Sequence, residues 1–132
     1  MPGHEPTDVL RGFWQREEEL LDVGDIAGAV ELNVATWLGP EASGATRERV
    51  RLMQRHAFEV QLTAPEQYEP LEVAVDLHAI TAASLVVSGA KDLPDFRLIR
   101  PAWQQRCQAR PVELPCAGHL PTWNGHRNSP GC

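Results

Sequence analysis

Two residues in this chain have the type and the placement to move protons. Asp92 stands just past the apolar run SLVV, in SLVVSGAKD, and His119 stands just past PVEL, in PVELPCAGH. A carboxylate beside an imidazole orients the ring and stabilises its charged form, which is what a general base requires. Two neighbouring parallel strands that each feed a polar residue into the loop at their C-terminal end would bring these side chains to one spot. An acid and a base are two of the three parts of a nucleophilic triad, so the question is whether the chain holds the third.

The elements that must position them are legible around both residues. SLVV, bounded by Gly89, is a continuous apolar run of the kind that forms a parallel strand covered on both faces. Pro94 and Asp95 open a helix that turns Phe96, Ile99, Trp103 and Cys107 inward. Pro101 falls inside that pattern, where it removes a hydrogen bond at a cost of ~3 kcal/mol, so a kink or a late start is expected. PVEL is a second strand, and strand, helix, strand in this order make one crossover unit. The predicted fold class is therefore α/β, with a two-stranded parallel β-α-β segment over 84–121.

Upstream the periodicity is helical. Residues 1–8 read as a disordered polar lead. Leu10, Phe13, Trp14, Leu20 and Leu21 fall near helical spacing, with Thr7 or Asp8 as the cap and Gly24 as the stop. Glu17, Glu18 and Glu19 read as a solvated face. Asp25 caps a second helix with Ile26, Val30, Asn33, Val34 and Trp37 on one stripe, ended by Gly39-Pro40. Thr46 is taken as the cap of a third helix with Val50, Met53, Ala57 and Val60 on one face, opposite a salt-laced face of arginines and glutamates. Residues 9–64 thus form a helical segment and 65–83 a linker. Within the linker, LEVAVDLHAI reads either as a strand or as a helical turn. Apolar stripes at helical spacing make Trp14 and Trp37 packing residues, with the lining of a pocket as the alternative. His56 and His78 read as structural or surface histidines.

From about Leu10 to Pro121 the chain resembles the C-terminal half of an α/β-hydrolase. LVVSGAKDLPDF is similar to the penultimate strand and acid turn of that fold, VELPCAGHLP to its last strand and histidine turn, and GDIAGAVELNVATWLGP to the end of its helical lid. The resemblance implies a partial α/β-hydrolase fold, with Asp92 as the triad acid and His119 as the general base. Asp95 is the alternative acid, although it is also the natural helix cap. The implied parent reaction is hydrolysis of a small ester, lactone or related carbonyl substrate, without a cofactor. A serine nucleophile is the usual one, and an aspartate, as in family members that open epoxides or carbon–halogen bonds, is equally compatible with these residues.

The chain departs from the family in three places. Ala82-Ala83 stand where the family commonly has proline before the strand. No G-x-S-x-G elbow is present, and that elbow both exposes the nucleophile and lends an N–H to the oxyanion hole. Ser43 lies in a loop between helices, and Ser84 and Ser88 belong to a strand, so none of the three replaces it. The sequence therefore reads as starting at the lid, and as inactive alone. The tail TWNGHRNSPGC also replaces the expected continuation. Back-translated with permissible codons and shifted by two bases, it spells Leu-Glu-Arg-Pro-Pro-Glu-Phe-Pro, so a reading-frame slip at Pro121–Thr122 is expected. Resequencing the locus tests this, and the tail's Trp123, His126 and Cys132 are then left without an evolved role.

Composition narrows the partners. A net charge of −6 with no basic cluster argues against nucleic acid. No run approaches the ~18 apolar residues of a membrane span, and MPGHEPTD is not signal-like. Three cysteines without framework spacing suggest a cytoplasmic chain with reduced thiols. Cys116 and His119 make a lone C-x-x-H, too few ligands for zinc, so no metal is expected. Two parallel strands leave faces and edges open, which predicts marginal stability and self-association through strand edges. The alternative to a hydrolase piece is a non-catalytic helical interaction module over 7–62.

Overall fold

A computed structural model describes residues 4–65, 71, 73 and 76–121. In chain order they form α1 (Asp8–Asp22), α2 (Ile26–Trp37), α3 (Gly44–Thr63), one 3₁₀ turn (Leu77–Ala79), β1 (Leu85–Gly89), α4 (Pro94–Cys107) and β2 (Arg110–Leu114). The mixed helix-and-strand class expected from the sequence is observed. The tail at 122–132, where the frame slip is expected, lies outside the described residues, as does much of the linker. At the linker's described end, LHA is a helical turn rather than a strand.

Side-chain caps set the helix starts. Thr7 accepts from the Leu10 N–H at the head of α1, and Asp25 accepts from the Gly28 N–H at the head of α2. Between them Gly24 takes a φ of 75°, a left-handed conformation that costs glycine nothing and lets the chain reverse. At α3 the cap is Ser43, one turn earlier than the Thr46 read from the sequence. Its Oγ accepts from the Thr46 N–H at 3.1 Å.

The three helices form a cap with its own core of Leu20, Ala29, Val30, Val34, Leu38, Val50 and Phe58. α2 lies in the middle and packs on both neighbours. That position explains why its predicted stripe is the one that holds, with Val30, Asn33 and Val34 all buried. The stripe on α3 is narrower than predicted: Val50 and Phe58 are buried, whereas Met53 and Val60 are 56% and 54% exposed. α3 packs chiefly on α2, so only the line of residues facing α2 is covered. Trp14 is likewise half exposed, because α1 buries Leu10, Phe13 and Leu20 and the next residue round from Phe13 points outward. His56 and His78 are exposed.

β1 and β2 pair in parallel, in register from Leu85 opposite Arg110 to Gly89 opposite Leu114. α4 covers one face, and Arg100 ties it down by donating to Ser88 at 3.2 Å and to Glu113 at 2.6 Å. The other face is open among the described residues, with Leu85 54% and Val87 43% exposed, so SLVV is covered on one face and not on two. α4 starts on time at Pro94 and runs through Pro101 without a break. Pro101 and Arg97 are both exposed, so the Arg97 carbonyl that loses its amide partner lies on the solvent side, where water can replace the bond. Cys107 is a buried free thiol. No helix among the described residues is long and apolar enough to cross a membrane.

Candidate active site

The turns after β1 and β2 are built against each other. The Ala90 N–H donates to the Leu114 carbonyl and the Lys91 N–H to the Ala117 carbonyl, both at 2.9 Å. Gly89 is required here, because a Cβ on it would strike the carbonyl oxygens of Ala117 and Gly118. Gly118 does the same toward the cap: a Cβ there would lie 2.6 Å from the Gly39 nitrogen. This close approach brings the end of α2 onto the histidine turn, where the Leu120 N–H donates to the Trp37 carbonyl at 3.2 Å.

Asp92 and His119 meet as their positions in the sequence predict. His119 Nδ1 lies 3.0 Å from Asp92 Oδ2, and the Asp92 side chain is only 6% exposed against 36% for His119. Asp92 Oδ1 accepts from the Leu93 N–H at 2.7 Å. An ionised carboxylate can only accept, so the proton of this bond sits on Nδ1 and the lone pair of the imidazole sits on Nε2. The pair is therefore arranged to take a proton at Nε2 while the acid holds the ring.

Aromatic residues from both halves of the chain enclose the ring. The Phe96 ring centroid is 4.2 Å from that of His119, and Trp37 is 5.0 Å away on a tilted approach. Phe13 meets Trp37 edge-on at 4.8 Å. Trp37 is itself oriented: its Nε1–H donates to Asn33 Oδ1 at 2.8 Å, and Asn33 Nδ2 donates to the Ala29 carbonyl and to Glu17. Glu17 is thus held to α2 and partly buried, whereas Glu18 and Glu19 beside it are exposed, and the solvated reading of that run fails at this one residue. A cavity of about 350 Å³ opens beside the pair, with Val87, Phe96, Ile99 and Trp103 joining Asp92 and His119 in its wall.

Asp95 neither caps its own helix nor, among the described residues, hydrogen-bonds to His119. α4 has no side-chain cap bond, and the Asp95 carboxylate turns to the start of the chain instead. Oδ1 accepts from the Thr7 N–H at 2.8 Å and lies 2.9 Å from His4 Nε2, and Oδ2 accepts from Thr7 Oγ1 at 2.5 Å. Burial pushes this carboxyl up, but the Thr7 hydroxyl, the Thr7 N–H and His4 together outweigh it and bring it down to about 2. The described part of the lead is therefore pinned rather than disordered.

The serines of the described residues noted in the sequence have local roles. Ser43 caps α3, Ser84 donates to the Ala82 carbonyl, and Ser88 accepts from Arg100. None is hydrogen-bonded to His119 among the described residues. Nor do three His, Cys, Asp or Glu side chains converge there in a way that could hold a metal ion. Sequence reading missed the enclosure of His119 by Trp37 and Phe96, and the Thr7–His4–Asp95 cluster. One signal was available, since Asn33 on an apolar stripe implies a buried hydrogen-bond partner. No family model matches the chain, and no curated protein or solved structure matches it.

Proposed function

We propose that residues 84–121 carry the acid-and-base half of a nucleophile–histidine–aspartate hydrolase site, in a partial α/β-hydrolase fold. Asp92 orients and His119 acts as general base. The substrate class is a small, largely apolar ester, lactone or related carbonyl compound, and no cofactor takes part. The nucleophile and the oxyanion-hole donors belong to a segment outside this sequence, so the chain alone is inactive. The observation that carries the reading is the 3.0 Å contact between His119 Nδ1 and the buried Asp92 at the C-terminal ends of two paired parallel strands. The apolar wall of the adjoining cavity supports the substrate class.

In the reaction, Nε2 of His119 takes the proton of the attacking group and later returns it to the leaving group. Asp92 stabilises the imidazolium formed in between. The test is hydrolysis of p-nitrophenyl acetate by the chain alone and by the chain mixed with the N-terminal half of an α/β-hydrolase. Turnover in the mixture only, lost in H119A, is the expected result. A mixture no faster than its N-terminal component, or turnover by the chain alone that survives H119A, counts against the reading. DNA upstream of Met1 that encodes G-x-S-x-G or G-x-D-x-G would name the nucleophile.

A second reading, a helical interaction module over 7–62, is favoured by one observation. Met53 and Val60, seven residues apart on α3, share a face and are both more than half exposed. Absence of turnover in every mixture, with a bound partner that protects Met53 from oxidation, would favour it.

A further inference from the structure

Asp95 is among the most buried side chains described, at 2% exposure, and the proton chemistry of the Asp92–His119 pair does not use it. A carboxylate removed from water must be satisfied by donors, or it destabilises the fold. Beside its own backbone N–H, its donors lie in the lead of α1: the Thr7 N–H, the Thr7 hydroxyl and His4 Nε2. The Thr7 hydroxyl gives its proton to Asp95 and accepts the Leu10 N–H at 3.4 Å, so one oxygen both caps α1 and ties it to α4. Demand for donors at Asp95 therefore sets where α1 begins.

Two aromatic arms run from this joint to His119. One is the next residue in the chain, Phe96, whose ring lies 4.2 Å from the imidazole. The other runs through α1: Phe13, 8% exposed, meets Trp37 at 4.8 Å, and Trp37 meets the imidazole at 5.0 Å. Asp92 holds His119 at one nitrogen only. A single hydrogen bond leaves rotation about that contact, and the two rings remove it.

We infer that Asp95 is a positioning residue for His119: by binding the Thr7 end of α1 it clamps the helical cap onto α4 and closes Phe96 and Trp37 around the imidazole. Its importance for chemistry rests on the acid–base reading of Asp92 and His119, whereas its effect on the ring does not.

The test follows His119 by NMR in the full chain labelled at histidine, with helix content from circular dichroism as a check on folding. The variants are D95N, T7V, which removes the hydroxyl arm and keeps the backbone N–H, and T7S, which keeps both. W37L marks the position of the His119 Cε1–H signal without the indole over it. In T7V and D95N the signal moves toward its W37L position, and the Nδ1 proton exchanges roughly tenfold faster, the factor that one hydrogen bond of net stabilisation corresponds to. T7S restores both. A folded T7V whose His119 signal and exchange match the unmodified chain overturns the inference, even if D95N fails to fold. The acid–base reading fails separately, if D92N leaves the Nδ1 proton signal where it was.

Discussion

His119 is held on three sides by residues that differ in kind. Asp92 supplies a hydrogen bond and a charge, while Phe96 and Trp37 supply surface. Replacing Asp92 by Asn leaves a group that can donate as well as accept, which permits the wrong imidazole tautomer. In a complemented enzyme D92N is expected to lower kcat by roughly 10⁴-fold, the scale at which a triad acid acts in serine proteases, with KM little changed. Asp95 makes a prediction on stability. Its carboxyl is lowered to about 2 in the fold against ~3.9 unfolded, so its contribution is complete above about pH 4 and is lost as pH falls toward 2. Urea midpoints measured across that window should fall in the unmodified chain and lose this component in D95N. At neutral pH D95N should cost ~2–3 kcal/mol, as expected where hydrogen bonds to a buried charge are removed.

At the scale of elements, the cap and the crossover meet along the end of α2 and the histidine turn. At Gly118 an added Cβ would meet the Gly39 nitrogen at 2.6 Å and the Leu38 carbonyl carbon at 2.9 Å. Gly118→Ala should destabilise by roughly 1–3 kcal/mol, because backbone on the other side must move. Gly12, inside α1 with nothing within 4 Å of a new Cβ, gives the opposite sign: Gly12→Ala should stabilise by roughly 0.5–1 kcal/mol. Thermal melts of the two variants check both. The sequence marked the places of α1, α2, α4 and both strands, because caps, proline and periodicity are properties of neighbouring residues, but α4 neither starts late at Pro101 nor takes Asp95 as its cap. It misplaced the α3 cap and drew the α3 stripe too wide. Ser43 and Thr46 are equally good capping residues, and only the packing of α3 against α2 decides which apolar positions are covered.

At the scale of the whole molecule, the largest core belongs to the cap, and the two-stranded sheet has one apolar face uncovered among the described residues. Parallel sheets are normally buried on both faces, so Leu85 and Val87 are surfaces for association. Sedimentation velocity should show mass rising with concentration, and L85K/V87K should return the chain to monomer. A unmodified chain that stays monomeric at high concentration would refute the prediction. The arginine-rich face of α3 behaves as a solvated face, with Arg51 paired to Glu31 of α2 and to Glu48. Such exposed pairs contribute little to stability.

By itself the sequence determined where Asp92 and His119 stand. A strand ends at a glycine-containing turn through short-range pattern, and Asp92 and His119 each follow such a turn. It also determined that no nucleophile elbow is present, which is a matter of composition and spacing alone. The tertiary structure decided the rest: that the two side chains meet at 3.0 Å across 27 residues, that Trp37 and Phe96 enclose the imidazole, and that Asp95 serves α1 rather than its own helix. The physical reason is one of range. Local pattern tells a residue which side of its element is apolar or polar, but a partner 88 residues away, as Thr7 is from Asp95, is chosen only when separate elements pack and a buried charge takes the donors that packing brings.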